Sequence, residues 1–283
     1  MPPYVSIPLI ILAVFAVFFI LYLFAVKPAP RRAGVELYMR GAYAHRGLHN
    51  ADLPENSAAA FEAACRAGYG IELDVQLSSD GIPVVFHDAT LNRVCGIDAR
   101  VLDRTAEELG GTALSGKAAH TIPTFADVLR LVDGRVPLMV EIKGTSKENT
   151  YAVCEAVAPL LDAYEGPYCI ESFNPYAVYW FKENRPAVVR GQLSSHFWRD
   201  PKHRTATGLL MQSLITNCIT KPDFISFDRR YSRLFSFTVV RCLWRCPASA
   251  WTVQSRAQEY ACRTRFDCVI FENYLPEQRN DTK

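Results

Sequence analysis

Residues 69–88 read YGIELDVQLSSDGIPVVFHD. Glu72 and Asp74 alternate in the first half, and side chains two apart on a strand share a face. The second half, GIPVVFHD, runs apolar until His87. Asp80-Gly81 is a hairpin signal, so a return strand would carry His87 back over the face that bears the acids. Glu141 and Lys143 repeat the alternation in VEIKG, and His45-Arg46 ends the short segment AYAHRG. Carboxylates crowded in a partly desolvated place repel, so one holds a proton or a cation shares them. An all-oxygen set suits one hard divalent cation, Mg²⁺ or Ca²⁺, better than zinc. Histidine titrates near neutrality and suits proton transfer. Singly, each acid reads equally well as an ion-paired core group, with Lys143 as a partner. Three acids with two histidines at segment ends are rare as buried structure alone.

The elements that would gather these residues follow a β/α beat. AYAHRG is a strand, and NSAAAFEAACRAG is a helix capped by Asn56 or Ser57 and stopped by Gly68. YGIELDVQL is a strand with a hairpin return. Residues 88–123 read as an irregular stretch holding the helical fragment TAEEL. Strands VPLMVEIKG, PYCIESF, AVVRGQLS, DFISFD, ASAWTV and DCVIFEN follow, with helices TFADVLRLVDG, NTYAVCEAVAPLLDAY, NPYAVYWFKENRP, GLLMQSLITNCI, LFSFTVVRCLW and SRAQEYACRTR between them. Many strands are continuous apolar runs, as buried parallel strands are. Eight such units predict a (β/α)8 TIM barrel with a short insertion after strand 2. An open nucleotide-binding sheet would carry a Gly-rich turn after its first strand, and AHRGLHN contains no GxGxxG. The C-terminal strand ends of a barrel would bring His45, Glu72, Asp74, Glu141 and Lys143 to one mouth, where barrel enzymes keep their chemistry.

A separate segment precedes this domain. Val5–Val26 is free of charge and long enough to cross a bilayer. MPPYVS lacks the basic residues of a signal peptide, the rival reading. We expect a transmembrane anchor over residues 1–28, a linker over 29–40 and the barrel over 41–283. Lys27, Arg31 and Arg32 follow the span, so the positive-inside rule places the domain in the cytoplasm of a single-pass cell-membrane protein. The nine cysteines are odd in number and contain no CxxC, which reads as buried thiols in a reducing compartment. A net charge of +2 gives no argument for nucleic acid as a partner.

Taken in order, AHRGLHNADLPENSAAAF, GIELDVQLSSDGIPVVFHDATLNRVCG, IPTFADVL, VEIKG, ESFNP and WTV resemble the glycerophosphodiester phosphodiesterase family over roughly residues 41–275. The resemblance implies a TIM barrel that hydrolyses glycerophosphodiesters to glycerol 3-phosphate and an alcohol with a divalent cation. It implies His45 and His87 as acid/base residues and Glu72, Asp74 and Glu141 as metal ligands. Arg46 and Lys143 match the family's phosphate-binding cations, and Ser79 to about Pro123 matches its insertion. The attacking group it implies is water or the substrate's own glycerol hydroxyl, the latter giving a cyclic phosphate.

Softer expectations complete the reading. Phe173 and Trp251 form an apolar wall against substrate, or ordinary barrel-top packing. Gln254 stands where the family often has Asn. Glu171 reads as a helix-capping or surface acid, and Glu55 as a loop-shaping residue beside Asn56. His49, His120, His196 and His203 read as surface or loop residues. RLFSFTVVRCLWRC reads as packing on the barrel rather than as a lipid-contacting face. Competing functions are a lysophospholipase D using the same site, a non-catalytic membrane-bound barrel, and a metal-dependent aldolase or enolising barrel. The last leaves the paired histidines unexplained.

Overall fold

The computed structural model describes residues 3–277. In chain order its strands are β1 Ala42–His45, β2 Gly70–Leu77, β3 Pro83–Val85, β4 Ala113–Leu114, β5 Lys117–Thr121, β6 Leu138–Ile142, β7 Tyr168–Ser172, β8 Arg190–Ser194, β9 Phe224–Asp228, β10 Ala248–Val253 and β11 Cys268–Phe271. β2 pairs in parallel with β6, and the order continues through β7, β8, β9 and β10 to β11. Parallel pairing of β1 with both β2 and β11 closes the ring. This is a (β/α)8 barrel, with β3 folded back antiparallel on β2.

The strand sequences explain the closure. β2, β6, β8 and β9 are buried at every position, so their polar residues must point into the barrel or toward its mouth. The outer helices are amphipathic and capped. Ser57 caps the helix Ala58–Ala67 by accepting from Ala60 N, and left-handed Gly68 ends it. The helix Phe125–Val132 buries Phe125, Val128, Leu129 and Val132, the i, i+3, i+4, i+7 face of a helix on a sheet. Removing a Phe such as Phe61 from this interface would cost ~3–5 kcal/mol.

Three regions differ from the sequence reading. Residues 88–123 are not irregular. Besides the expected helical fragment, seen as Ala106–Gly110, they hold the hairpin β4–β5, and with the end of the return strand they build a small core of Val84, Phe86, Leu91, Val101, Leu109, Leu114 and Ile122. The expected helix over GLLMQSLITNCI breaks into Ala206–Ser213 and Asn217–Thr220, because Leu214 turns left-handed at φ 58°. Within the expected linker, Val35–Tyr38 is a helical turn. Val35 and Met39 are buried against Tyr43, Met139, Cys169, Val189 and Phe224, plugging the N-terminal foot of the barrel.

The helix Pro3–Ala25 contains Ile7–Ala25, a segment long and apolar enough to cross a membrane and unburied by the rest of the protein. Contact with the barrel begins near its end: Phe19 and Tyr22 meet Phe235, and Trp244 Nε1 donates to Leu23 O. Among the described residues no disulfide joins any of the nine cysteines.

Candidate active site

The C-terminal ends of β1, β2 and β6 build the centre of the mouth. Register pairs His45 with Glu72 and Asp74 with Glu141. Ligand oxygens of Glu72, Asp74 and Glu141 lie within 4.8 Å of one another, and all three residues are buried. Burial pushes the Glu72 carboxyl well above its usual range, and the neighbouring Asp74 and Glu141 add to the shift. Burial also raises Glu141, against the opposing pull of Lys143, to about 7. For Asp74 burial is outweighed by Lys143 and Arg46, which hold it well below the carboxylate range. Three buried carboxylates, two of them pushed toward the neutral form by burial, are a donor set that fits a hard divalent ion.

Cations surround the acids. Lys143 Nζ lies 2.9 Å from Asp74 Oδ1 and 2.8 Å from Glu141 Oε1. Burial disfavours its ammonium, but the two carboxylates prevail and raise its pKa. Arg46 sits in the left-handed region at φ 56°, uncommon for a residue with a side chain. That turn aims its backbone N–H at Glu72 Oε2, 3.1 Å away, while its guanidinium reaches Glu55 at 2.7 Å. Gly47 makes the turn possible. A Cβ there would stand 2.9 Å from Ala60 and Phe61, so the loop can lie against the helix Ala58–Ala67 only with glycine. Asn56 Nδ2 donates to Asp74 Oδ2 at 2.9 Å and fixes that carboxylate's rotamer.

The two histidines arrive from different elements. His45 ends β1. His87 follows β3, whose return is fastened where Phe86 N donates to Asp74 O and Gln76 Nε2 donates to Phe86 O and Asp88 O. Each ring is tied at Nδ1 to a carboxylate: His45 to Glu272 at 2.6 Å and His87 to Asp88 at 2.5 Å. Burial lowers the pKa of both, against the pull of those partners. Both rings therefore favour the neutral form, with Nδ1 the protonated nitrogen and Nε2 free to exchange a proton.

The structure thus gathers His45, His87, Arg46, Lys143, Glu72, Asp74 and Glu141 into one constellation. Phe173 and Trp251 stand beside it, ring centroids 5.5 Å apart and nearly perpendicular. Trp251 Nε1 is buried with no hydrogen-bond partner among the described residues.

Other residues lie elsewhere than expected. Glu171 is neither a cap nor on the surface. Register pairs it with Glu141, so it is buried inside the barrel, and burial with the Glu141 charge raises it to about 8. His49 is drawn in, with Nε2 3.8 Å from Glu272. Gln254 Nε2 donates to Glu272 Oε1 at 2.7 Å. Glu55 bridges Arg46 and Arg93, and Arg93 also holds Asp88, so the insertion is strapped to the mouth through ion pairs. Asp88, adjacent to His87, was visible as a His-Asp pair. Glu272 gave no local signal.

A sequence profile described as the glycerophosphoryl diester phosphodiesterase family matches residues 45–224. The chain belongs to this family. Glycerophosphoryl diester phosphodiesterase relatives include glycerophosphodiester phosphodiesterase 1 of Bos taurus, 29% identical over 189 residues, covering 62% of this chain and 56% of that protein. Another is glycerophosphodiester phosphodiesterase of Caldanaerobacter subterraneus, 36% identical over 169 residues, covering 56% of this chain and 69% of the relative. The chain spans about half the length of several curated relatives it matches. Among solved structures, an Oleispira antarctica phosphodiesterase in complex with the product sn-glycerol-3-phosphate superposes with a TM-score of 0.68 at 22% identity, covering 83% of this chain and 94% of that one. The Thermotoga maritima glycerophosphodiester phosphodiesterase superposes with a TM-score of 0.64 at 24% identity, over 82% and 94%. These likenesses show the same barrel fold.

Proposed function

We propose that the chain is a membrane-anchored, divalent-cation-dependent hydrolase of glycerophosphodiesters, releasing glycerol 3-phosphate and an alcohol. The observation that carries this is the triad of buried carboxylates beside two histidines, each oriented through Nδ1 by its own acid.

A phosphodiester is a poor electrophile whose equatorial oxygens gain charge as the nucleophile arrives. A divalent cation held by Glu72, Asp74 and Glu141 would supply Lewis-acid stabilisation of that charge. Arg46 and Lys143 bind the remaining phosphate oxygens. One histidine, neutral, accepts a proton at Nε2 from the attacking hydroxyl; the other enters the step as the imidazolium and gives its Nε2 proton to the leaving alcohol, ending neutral. Glu272 and Asp88 hold the rings and stabilise the imidazolium each passes through, as the acid of a catalytic triad does. Phe173 and Trp251 flank the glycerol or the leaving group, with Trp251 Nε1 as a donor. The span over residues 5–26 holds the domain at the cell membrane, on the cytoplasmic side by its Lys27, Arg31 and Arg32 flank.

A second reading, cleavage of lysophospholipids, is supported by one feature. A cleft of 370 Å³ opens beside Phe173 and Trp251, with Phe197 and Tyr231 in its lining and Arg199 and Arg230 at its exposed rim. The deciding experiment measures glycerol 3-phosphate released from head-group diesters and choline or ethanolamine released from lysolipids, with and without Mg²⁺ or Ca²⁺. Release from diesters alone supports the first reading. No metal-stimulated release from any substrate refutes both.

A further inference from the structure

We infer that the mouth of the barrel faces the bilayer, with the rim formed by residues 197–210 and Phe235 resting on an anionic phospholipid surface. This orientation rests on the reading of the N-terminal helix as a membrane span.

The path of the chain sets the direction. At the foot of the barrel, Ala29 N donates to Pro222 O and Arg32 Nη1 donates to Ala187 O. Pro222 and Ala187 precede β9 and β8, so these bonds mark the N-terminal strand ends. The mouth level is marked by Ser194, the last residue of β8, whose Oγ donates to Met211 O. Ser236 Oγ donates to Gln212 O, which places the start of the helix Phe235–Thr238 at that level too. The N-terminal helix touches this upper level next. Tyr22 OH donates to Ser213 O at 2.9 Å, and Phe19 and Tyr22 meet the Phe235 ring at 6.0 and 5.9 Å. Followed from Ala29 back to Phe19, the chain climbs from foot to mouth.

Length sets the depth. Residues 7–18 are exposed, so the helix continues beyond its Phe19–Phe235 contact and past the mouth. The stretch from Pro3 to Tyr22 already supplies the ~20 residues that cross the hydrocarbon. The near edge of the bilayer therefore falls at the level of Tyr22, Ser213 and Phe235.

The surface at that level has the chemistry of a lipid contact. The helix Ala206–Ser213 buries only Gly208, leaving Leu209 and Leu210 exposed. Trp198 and Phe235 are exposed on either side, 45% and 54% accessible. Arg199, Arg204 and Arg233 are exposed among them. Apolar tips set in a basic rim suit shallow insertion among anionic headgroups.

The test uses the full chain in vesicles of phosphatidylcholine and phosphatidylglycerol, with Cys218 and Cys242 replaced by serine. A fluorophore is attached through Leu210→Cys at the rim or Leu37→Cys at the foot. The rim label is expected to be quenched by lipids carrying bromine near the headgroup, and to be at least about threefold less accessible to aqueous iodide than the foot label. Equal iodide quenching at both positions, in chains that float with the vesicles and resist carbonate extraction, overturns the orientation and leaves the span intact. Chains that fail to float overturn the span and the orientation with it.

Discussion

His45 Nδ1 stands 2.6 Å from the Glu272 carboxylate, although 227 positions separate the two in sequence. Glu272 is held in turn by Gln254, and its hydrogen bond from His45, with His49 nearby, keeps its pKa below the carboxylate range. On the proposed mechanism it acts through His45 rather than on substrate. Glu272→Gln is expected to lower kcat by roughly 10–10³-fold with little change in KM. Its hydrogen bond raises the His45 pKa against the effect of burial. Removing the charge should therefore move the pH-profile limb that belongs to His45 to lower pH. An unchanged profile with unchanged kcat would show that the pair is only structural.

Glu141→Gln keeps the shape of a ligand and removes its charge. The variant should need a higher Mg²⁺ or Ca²⁺ concentration for half-maximal turnover, by about 10-fold or more. Exhaustive chelation of the wild type should abolish turnover, and either ion should restore it. Titration calorimetry on the chelated protein gives a reading independent of rate. Full activity after chelation contradicts the assigned ligands.

His45→Ala and His87→Ala should each lower kcat by about 10²–10⁴-fold while cation binding survives, because the ligands are carboxylates. A nitrophenyl phosphodiester departs without a proton. On that substrate the variant lacking the general acid should recover and the variant lacking the general base should not. Equal recovery of both variants, or loss of cation binding in either, contradicts the acid/base pair.

Glu55 provides a pH test of the strap between insertion and mouth. Burial opposes its charge, but Arg93 and Arg46 bring its pKa down to about 2, from an ordinary value of 4.5. A depressed carboxyl stabilises the fold above the unfolded pKa, and the contribution drains away as pH falls through the folded one. After allowing for solvent screening it amounts to ~1–2 kcal/mol. In denaturant titrations the stability gap between wild type and Glu55→Gln should narrow between about pH 5 and about pH 3. A gap that is constant across this range contradicts the ion pairs.

Much of this could be read from the chain because the informative features are local. The Glu72–Asp74 alternation, the Asp80-Gly81 turn and the continuous apolar runs each depend on neighbours a few residues away, and together they place five of the polar residues at one mouth. What escaped depends on distant partners. Glu171 lies inward, where β7 pairs with β6 in the register that sets it beside Glu141, a partner thirty residues away that no residue near Glu171 identifies. Glu272 meets His45 only through barrel closure. Val35 and Met39 looked like linker because two buried side chains in so short a stretch set no period; the pocket they fill belongs to other strands. Residues 88–123 hid a small core because its strands are short, β4 being only Ala113–Leu114.

The ring of strands is sealed by its own two ends, with Ala44 of β1 opposite Phe271 of β11. Ala44 is made long before Phe271, so His45 has no Glu272 to lean on until β11 has been made and docked beside β1. On the proposed roles, a product truncated before Glu272 would keep every carboxylate of the Glu72–Asp74–Glu141 cluster and still lack the partner that orients its first histidine.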